Sequence, residues 1–483
     1  MMPAGAIERG FEADSHMAIR IGNGAGFLGD SLAAPRRLIE SAELDYLTLE
    51  YLAELTLSIL ARSREKDPRA GYAADFLEVL GDLAPALARQ PRLKIVTNAG
   101  GVNPPGCVRE AAAFLASAGL PGERVALVTG DDLLGRLDEL QAAGCRFDNL
   151  DTGQPLASLA EPIVSANAYL GARPIAEALG QAARFVITGR VADASLTVGP
   201  AVHEFGWAWN AWQPLAGASV AGHMIECGAQ ATGGFYPHAS EINLADVGYP
   251  IAVLAADGSC VISKPAGSGG RVNRETVSEQ LLYEIGDPAH YLTPDVDVDF
   301  TTIELSDEGS DRVALRGATG RPATDTYKVS LAYKAGYTAS CQLLVYGRDC
   351  TAKARSCAEI IFARLRASGY SFADAHVELL GAGEGVPGVF SPPADLREVM
   401  LRITVRHADR AAVERFTREV APLATAGPAG LAGYTAARGV VRPVFAYWPT
   451  LVPKELVPWQ VEVRAARDWI ETKEAAAGRG SRP

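Results

Sequence analysis

The chain has little cysteine, and it has no run of about 18 consecutive apolar residues, the length that a membrane-spanning helix needs. Its seven cysteines are scattered and form no Cys-x-x-Cys pair. This excludes a disulfide framework and a structural zinc site and indicates reduced thiols. No basic stripe accompanies the net charge of −12, which argues against a nucleic-acid partner. We therefore expect a cytoplasmic protein that binds neither nucleic acid nor membrane.

The length of 483 residues and the hydrophobic content of 48% are sufficient for two or three domains with sizeable cores. Residues 1–17 contain three acidic side chains and no apolar core, which excludes a secretory signal. We predict disordered tails at 1–17 and 471–483, a parallel α/β domain at 18–215 and an α+β domain at 216–470.

A pattern recurs five times in the first 200 residues. A short apolar run, typical of a buried strand, ends in a small or polar loop, and a helix-like stretch follows. The five runs are Ala18–Ile21, Leu93–Val96, Val125–Val128, Ile163–Ser165 and Phe185–Ile187. Such alternation predicts a parallel sheet with helices on both faces. Ligands of these sheets bind outside the carboxyl ends of the strands.

The second half of the chain has a different pattern. From Gly248 onward, strand-like runs separated by turns dominate, and helix-like stretches at Ala352–Ala367 and Arg410–Val420 each follow a strand. This pattern predicts an α+β domain whose mixed or antiparallel sheet carries helices on one face.

The segment Gly222–Gly234 contains the strongest catalytic candidates. In a helix, His223, Glu226 and Cys227 share one face, and histidine with a carboxylate is the usual acid–base pair. Thr232 follows as a candidate substrate contact. The sequence HxxE lacks a third ligand at a fixed spacing, so we predict no metal. The alternative is a structural histidine in the core.

Polar residues also follow the other predicted strands. Arg190 and Asp193 lie at the start of a helix, where Arg190 is suited to clamp a carboxylate and Asp193 to act as a base. Alternatively, the two simply pair with each other. Asn167 and Asp132 follow neighbouring strands and are candidate substrate contacts.

The loop Thr97–Gly106 is a candidate oxyanion-binding loop. Gly100 and Gly101 free the backbone so that successive N–H groups can point into one concavity, and Asn98 and Asn103 add neutral donors. A structural turn with an asparagine cap is an equally good interpretation.

Two further segments have the glycine content of anion sites. Gly24–Gly29 fits G-x-G-x-x-G, and Glu50 stands where an acid meets a ribose hydroxyl in dinucleotide sites. Asp30 would repel a pyrophosphate there, and the alternative is a tight turn. We count Gly26, Asp30 and Glu50 among the candidate substrate contacts. Lys264 and Arg271 flank a second glycine-rich turn and are candidate anion ligands, or solvated cations of a flexible turn.

These motifs together resemble the acyclic terpene utilisation AtuA family over about residues 18 to 460. The matching stretches include IGNGAGFLGDS, KIVTNAGGVNPPG, VITGRVADASL, HMIECGAQATGG and ISKPAGSGGRVNRETVSEQLLYEIGDPAHYLTPDV. The resemblance implies catabolism of branched acids, as in citronellol and geraniol breakdown, with coenzyme A as part of a thioester substrate and no certain cofactor. Family members often include a small domain of about 100 residues, so a small partner subunit or a homo-oligomer is expected.

The motifs and the resemblance together predict an enzyme that abstracts a proton beside a carbonyl, as a lyase, hydratase or isomerase. Glu226 or Asp193 would be the base and His223 the paired acid. Two alternatives remain open at this point. One is a nucleotide-dependent oxidoreductase that uses the Gly24–Gly29 loop, and the other is a non-catalytic scaffold of a catabolic complex.

Overall fold

The computed structural model describes residues 18–432 and 439–470; the predicted tails lie outside these residues. The strands are β1 Ala18–Asn23, β2 Tyr46–Leu49, β3 Lys94–Thr97, β4 Arg124–Thr129, β5 Ile163–Ala168, β6 Phe185–Ile187, β7 Ile251–Ala255, β8 Cys260–Ser263, β9 Tyr291–Leu292, β10 Asp297–Asp299, β11 Glu304–Asp307, β12 Arg312–Arg316, β13 Thr319–Arg321, β14 Thr326–Tyr346, β15 Asp374–Leu380, β16 Glu398–His407, β17 Leu431–Ala432, β18 Arg442–Pro453 and β19 Gln460–Ala465. The helices are α1 Ala34–Ser41, α2 Glu54–Lys66, α3 Asp75–Arg89, α4 Pro104–Ser117, α5 Leu137–Ala142, α6 Arg173–Gly180, α7 Ser195–Phe205, α8 Trp212–Glu226, α9 Arg274–Leu282, α10 Cys350–Ala367, α11 Arg410–Glu419 and α12 Leu423–Ala426.

The first compact unit runs to Ala332 and resumes at Tyr447; the second comprises Tyr333–Ala446. The predicted boundary after residue 215 falls inside the first unit. The reason is that β7, β8, β11 and β12 extend the same sheet as the early strands, so the chain continues one core across that position.

The first unit contains a ten-stranded sheet in the order β11-β12-β8-β7-β1-β2-β3-β6-β4-β19. Its centre, β1-β2-β3-β6-β4, is parallel. Antiparallel strands flank the centre, with β7 against β1 and β19 against β4. The predicted fold class, a parallel α/β sheet followed by mixed and antiparallel strands, is confirmed.

The strand Ile163–Ala168 differs from the expectation that it belongs to the parallel sheet. It pairs with β14 instead. Its neighbours show why: Leu133 N donates to Ala166 O at 2.7 Å, and Tyr169 N donates to Lys328 O at 2.9 Å. These bonds use the strand's polar groups outside the central sheet, and its apolar run alone could not reveal its partner.

Helices cover both faces of the parallel centre. One core cluster joins α1, α3 and α4 to alternate strand residues such as Leu47, Leu49, Ile95 and Phe185. On β2 the intervening residues Tyr46 and Thr48 point away from that cluster, and α7 contacts β1 and β2. The layers leave the carboxyl ends of the strands free to carry polar side chains.

The second unit contains, in chain order, the last part of β14, then α10, β15, β16, α11, α12 and β17, and the first part of β18, which also pairs with β14. Its sheet order is β15-β16-β14-β17, all antiparallel, with α10 and α11 packed on one face through a core that includes Cys357, Ile361, Phe416, Leu401 and Ile403. This confirms the predicted antiparallel sheet with helices on one face.

Among all helices of the described residues, none combines the length and apolarity needed to cross a bilayer.

Arg184 links the end of helix α3 to the residues just before β3 and β4, at the amino-terminal edge of the sheet. Its Nε donates to Leu93 O at 3.0 Å, and its Nη2 donates to the carbonyls of Leu87 and Gln90 at the end of α3, both at 2.7 Å. Its Nη1 lies 2.6 Å from Glu123. Because the guanidinium is buried, these carbonyls have no water to replace it.

We expect Arg184→Ala to lower the free energy of unfolding by about 3 kcal/mol, since hydrogen bonds to a charged group are lost and buried acceptors are left unpaired. Urea denaturation measures the change. The control is Arg36→Ala, which removes an exposed helical ion pair and should leave stability almost unchanged. Equal effects of the two variants would contradict this account of Arg184.

Candidate functional site

A cavity of about 680 Å³ opens at the carboxyl edge of the parallel strands in the first unit. Glu50 follows β2, Arg190 and Asp193 follow β6, and Glu226 ends α8. All four line this cavity. The sequence predicted a site at this edge. Three of the catalytic candidates, Arg190, Asp193 and Glu226, line the cavity together with Glu50, a predicted substrate contact. The fourth catalytic candidate, His223, is buried and is not among the residues that line the cavity.

Arg190 is the buried cation of this site, with 2% of its surface exposed. Its Nη1 lies 2.8 Å from Asp193 Oδ1 and 3.8 Å from Glu50 Oε1, and it donates to Leu52 O at 2.5 Å. The guanidinium also stacks 4.1 Å above the ring of Tyr169. Burial opposes its charge, but Asp193, Tyr169 and Glu50 outweigh that penalty and raise the pKa of Arg190.

Arg190 therefore pairs with Asp193, which was the alternative interpretation of these two residues. Its Nη1 contacts two carboxylates, so the group helps to position Glu50 and Asp193. Its buried Nε has no hydrogen-bond partner among the described residues, and the role of Arg190 as a clamp for a substrate carboxylate stays a prediction.

Glu50 is a buried carboxyl group on the cavity wall, only 4% exposed. Its Oε1 accepts hydrogen bonds from Leu52 N at 2.9 Å and from Asn98 Nδ2. Burial and then the charge of Asp193 raise the pKa of Glu50 to about 8, against the opposing effect of Arg190. At neutral pH the group is largely protonated.

Asn98 and Asn167 do not line the cavity themselves, but each donates a hydrogen bond to a buried carboxyl group near it. Asn98 Oδ1 accepts from Tyr51 N at 2.8 Å while its amide holds Glu50. Asn167 Nδ2 donates to Asp131 Oδ2 at 2.9 Å, and the same oxygen accepts from Arg190 N at 2.8 Å. Burial raises the pKa of Asp131 to about 6. The two asparagines thus act on the site indirectly, because Asn98 orients Glu50 and Asn167 orients Asp131.

His223 and Glu226 form a buried pair near the end of α8. His223 Nδ1 lies 3.3 Å from Glu226 Oε1, and its Nε2 lies 2.8 Å from the carbonyl oxygen of Gln280. Burial alone would lower the pKa of His223, but the hydrogen bond with Glu226 raises it overall. Burial raises the pKa of Glu226 to about 7, with His223 opposing and Asp193 adding to the shift.

The C-terminal end of α8 is fixed from the sheet. Asn23 Nδ2 donates to the carbonyls of Ile225 at 2.7 Å and Glu226 at 3.0 Å, and Thr48 Oγ1 holds Asn23 Oδ1 at 3.0 Å. Capping of these helix carbonyls sets where Glu226 enters the cavity. No sequence motif indicated this role for Asn23.

A second polar group in the cavity was missed by sequence analysis. The Tyr169 hydroxyl donates to Glu54 Oε1, and Lys328 Nζ lies 3.2 Å from the same oxygen and 4.8 Å from the Tyr169 ring. Burial would raise the pKa of Glu54, but Tyr169, Arg190 and Lys328 together lower it to about 2. Tyr169 lies two residues after Asn167 at a strand end, which was the only local signal.

The glycine-rich loop after β1 is occupied by its own side chains. Asp30 Oδ2 accepts from Gly26 N at 2.8 Å, and its Oδ1 accepts from Ser31 N at 2.7 Å and from the Tyr249 hydroxyl at 2.5 Å. Gly29 N donates to Asp75 at 2.8 Å. Gly26 and Asp30 line the cavity as predicted contacts, but these N–H groups are not available to a pyrophosphate. The geometry does not favour the dinucleotide alternative.

The Thr97–Gly106 loop is also structural in its details. Gly100 N donates to Thr188 O at 3.0 Å, and Gly101 N donates to Asn98 O at 3.2 Å. Asn103 caps α4 by accepting from Gly106 N at 3.1 Å. Asn103 Nδ2 donates to the carbonyls of Arg69 at 3.1 Å and Ala70 at 2.9 Å. The donors of Gly100, Gly101 and Asn103 are thus used in contacts with the protein's own carbonyls, and none of the three residues lines the cavity. The geometry favours the structural turn with an asparagine cap.

The remaining candidates lie in different places. Cys227 lines the cavity, where burial, the first of several causes, raises the pKa of its thiol. Thr232 is buried and donates to Ala229 O at 3.0 Å, and Asp132 is exposed, where it accepts from Leu134 N. Lys264 lies 3.0 Å from Asp311, and Arg271 lies 3.1 Å from Glu241. These last two are neutralised outside the cavity.

The described residues contain no group of three or more histidine, cysteine or acidic side chains arranged to hold a metal ion.

The opposite pKa shifts of Glu50 and Glu54 give opposite effects on stability. Between its ordinary pKa of 4.5 and about 8, folded Glu50 keeps a proton that the unfolded chain releases, so stability falls as pH rises through that window. Folded Glu54, with its pKa lowered from 4.5 to about 2, stabilises the protein above pH 4.5, and this contribution is lost as pH falls toward 2.

We expect Glu50→Gln to flatten the fall in Tm between about pH 5 and pH 8, whereas Glu54→Gln lowers Tm at neutral pH. Thermal unfolding of both variants and the unaltered protein in matched buffers measures this. An unchanged pH slope in Glu50→Gln would show that Glu50 is ionised in the folded state.

Comparison with known protein families agrees with the motifs. The model described as "Acyclic terpene utilisation family protein AtuA" matches residues 19–463, which is most of the chain. Neither the curated proteins nor the solved structures provide a match. The chain belongs to the acyclic terpene utilisation AtuA family.

Proposed function

We propose that the protein is an enzyme of branched carboxylic-acid or acyl-CoA catabolism that moves a proton on the carbon beside a thioester carbonyl. In this scheme the step belongs to a hydration, dehydration or isomerisation. Glu226 is the base, and His223 is the acid that shares its proton.

The buried His223–Glu226 pair is the observation that carries this proposal. A carbonyl oxygen only accepts hydrogen bonds, so the contact with Gln280 O requires a hydrogen on His223 Nε2. A single proton is then held between Nδ1 and Glu226 Oε1 at 3.3 Å. Because the pKa of Glu226 is raised to about 7, the pair takes up and returns a proton near neutral pH, as general acid–base catalysis requires.

The proton balance of the step is simple. The Glu226 carboxylate removes the proton from the carbon beside the carbonyl, and the electron pair moves onto the acyl oxygen as an enolate. The proton held by Glu226 and His223 then returns to carbon in an isomerisation, or it leaves with hydroxide as water in a dehydration. Hydration is the reverse of the latter path.

The wall and mouth of the cavity fit an apolar acyl chain. Phe27, Phe235 and Leu292 line the cavity and are 57%, 68% and 61% exposed. Large apolar side chains left in water beside a polar cleft are typical of ligand sites. A hydrocarbon chain on these residues would leave the polar thioester end among the carboxyl groups.

We expect Glu226→Gln to lower the rate about 10²- to 10⁴-fold, the usual contribution of a general base, with little change in Tm. The measurement is deuterium incorporation from D₂O beside the carbonyl of a branched, unsaturated acyl-CoA. Glu279→Gln makes the same change at an exposed position of α9 and serves as the control.

The alternative role of Glu226 is purely structural. In that case Glu226→Gln would melt at a lower temperature and exchange deuterium at the normal rate, which would remove Glu226 from the chemistry. A protein that exchanges no deuterium into any branched acyl-CoA would overturn the proposed reaction itself.

A further inference from the structure

Glu50 has one carboxyl oxygen that the described residues leave without a hydrogen-bond partner. Its Oε1 is held by Leu52 N and Asn98 Nδ2, whereas its buried Oε2 has no partner. The residue lines the same cavity as Glu226 and enters it from the end of β2. A buried polar atom without a partner is costly to fold, so its position at a ligand cavity points to a contact with the ligand.

Burial and the facing negative charge of Asp193 favour the neutral form of Glu50. Three groups favour its charged form instead: Arg190, 3.8 Å away and already 2.8 Å from Asp193, and the donors Asn98 Nδ2 and Leu52 N. Burial and Asp193 outweigh these three groups. The raised pKa of about 8 agrees with this geometry. A carboxylic acid kept protonated at neutral pH is a strong hydrogen-bond donor in a site shielded from water.

We propose that Glu50 is a catalytic hydrogen-bond donor whose protonated Oε2 binds the acyl oxygen of the substrate, where negative charge develops when Glu226 removes a proton. This inference rests on the proposed function and adds the oxyanion-binding group to it. Glu50 keeps its proton throughout, so no bond is made or broken at this residue.

The structure also explains why this role falls to a side chain. The N–H groups of Gly100 and Gly101, which the sequence suggested for it, donate to backbone carbonyls. Those of Gly26 and Gly29 donate to Asp30 and Asp75. Glu50 is a wall group that combines a fixed orientation with an unused oxygen, and donors of fixed orientation are those that stabilise a developing oxyanion.

The test uses acetoacetyl-CoA, a thioester whose enolate absorbs in the near ultraviolet. We expect the unaltered protein to bind it as the enolate. Glu50→Gln replaces the neutral acid by a neutral amide donor and should keep most of this binding. Glu50→Ala removes the donor and should weaken enolate binding about 100-fold or more, the usual loss for one oxyanion donor.

Controls separate this inference from the proposed reaction. Glu279→Ala, on the exposed face of α9, should bind the enolate normally, and circular dichroism checks that each variant is folded. If the unaltered protein and Glu50→Ala bind the enolate equally well, Glu50 is not the donor although the proposed function stands. If Glu50→Gln loses binding as fully as Glu50→Ala, the neutral-donor role is wrong. A protein that binds no enolate overturns the proposed function and this inference with it.

Discussion

The site depends on the burial of one guanidinium. Arg190 has almost no exposed surface, and a buried cation is tolerated only where carboxylates and carbonyl oxygens surround it. Asp193 follows it by three residues, Glu50 comes from the end of β2, and Leu52 O completes the set. The backbone of Arg190 is itself held by Asp131 after β4. The guanidinium therefore links the ends of β2 and β6, and the backbone of the same residue links them to the end of β4.

The part of the site that depends on local sequence patterns could be predicted, and the part that depends on the fold could not. The strand-end positions of Arg190, Asp193 and Asn98 follow from the alternation of apolar runs and polar loops, which is a local pattern. Membership of a strand in the central sheet is not local, and Ile163–Ala168 shows this by pairing with β14. The availability of the glycine-rich loops to an anion is not local either. Whether their N–H groups are free depends on distant partners such as Asp75 and Thr188.

The cavity group that sequence analysis missed has no motif because its members come from separate elements. Glu54 begins α2, Tyr169 follows β5, and Lys328 lies in β14. Only the fold brings the lysine within 3.2 Å of the glutamate. Glu226 differs because its partner His223 is three residues away on the same helix, so helical spacing alone predicted the contact.

The carboxyl groups of the cavity are separated into two protonation classes by their surroundings. Glu54 has a hydroxyl, a nearby guanidinium and a lysine to compensate its charge, which lowers its pKa to about 2. Glu50 and Glu226 are more deeply buried and each feels the negative charge of Asp193, so their pKa values are raised to about 8 and about 7. Burying such groups costs stability, and a fold tolerates that cost where the protons are used. Asp193 raises the pKa of both Glu50 and Glu226, and Arg190 lowers that of Glu50. The two carboxyl groups therefore share the influence of the Arg190–Asp193 ion pair, whose arginine is buried and whose aspartate is partly exposed.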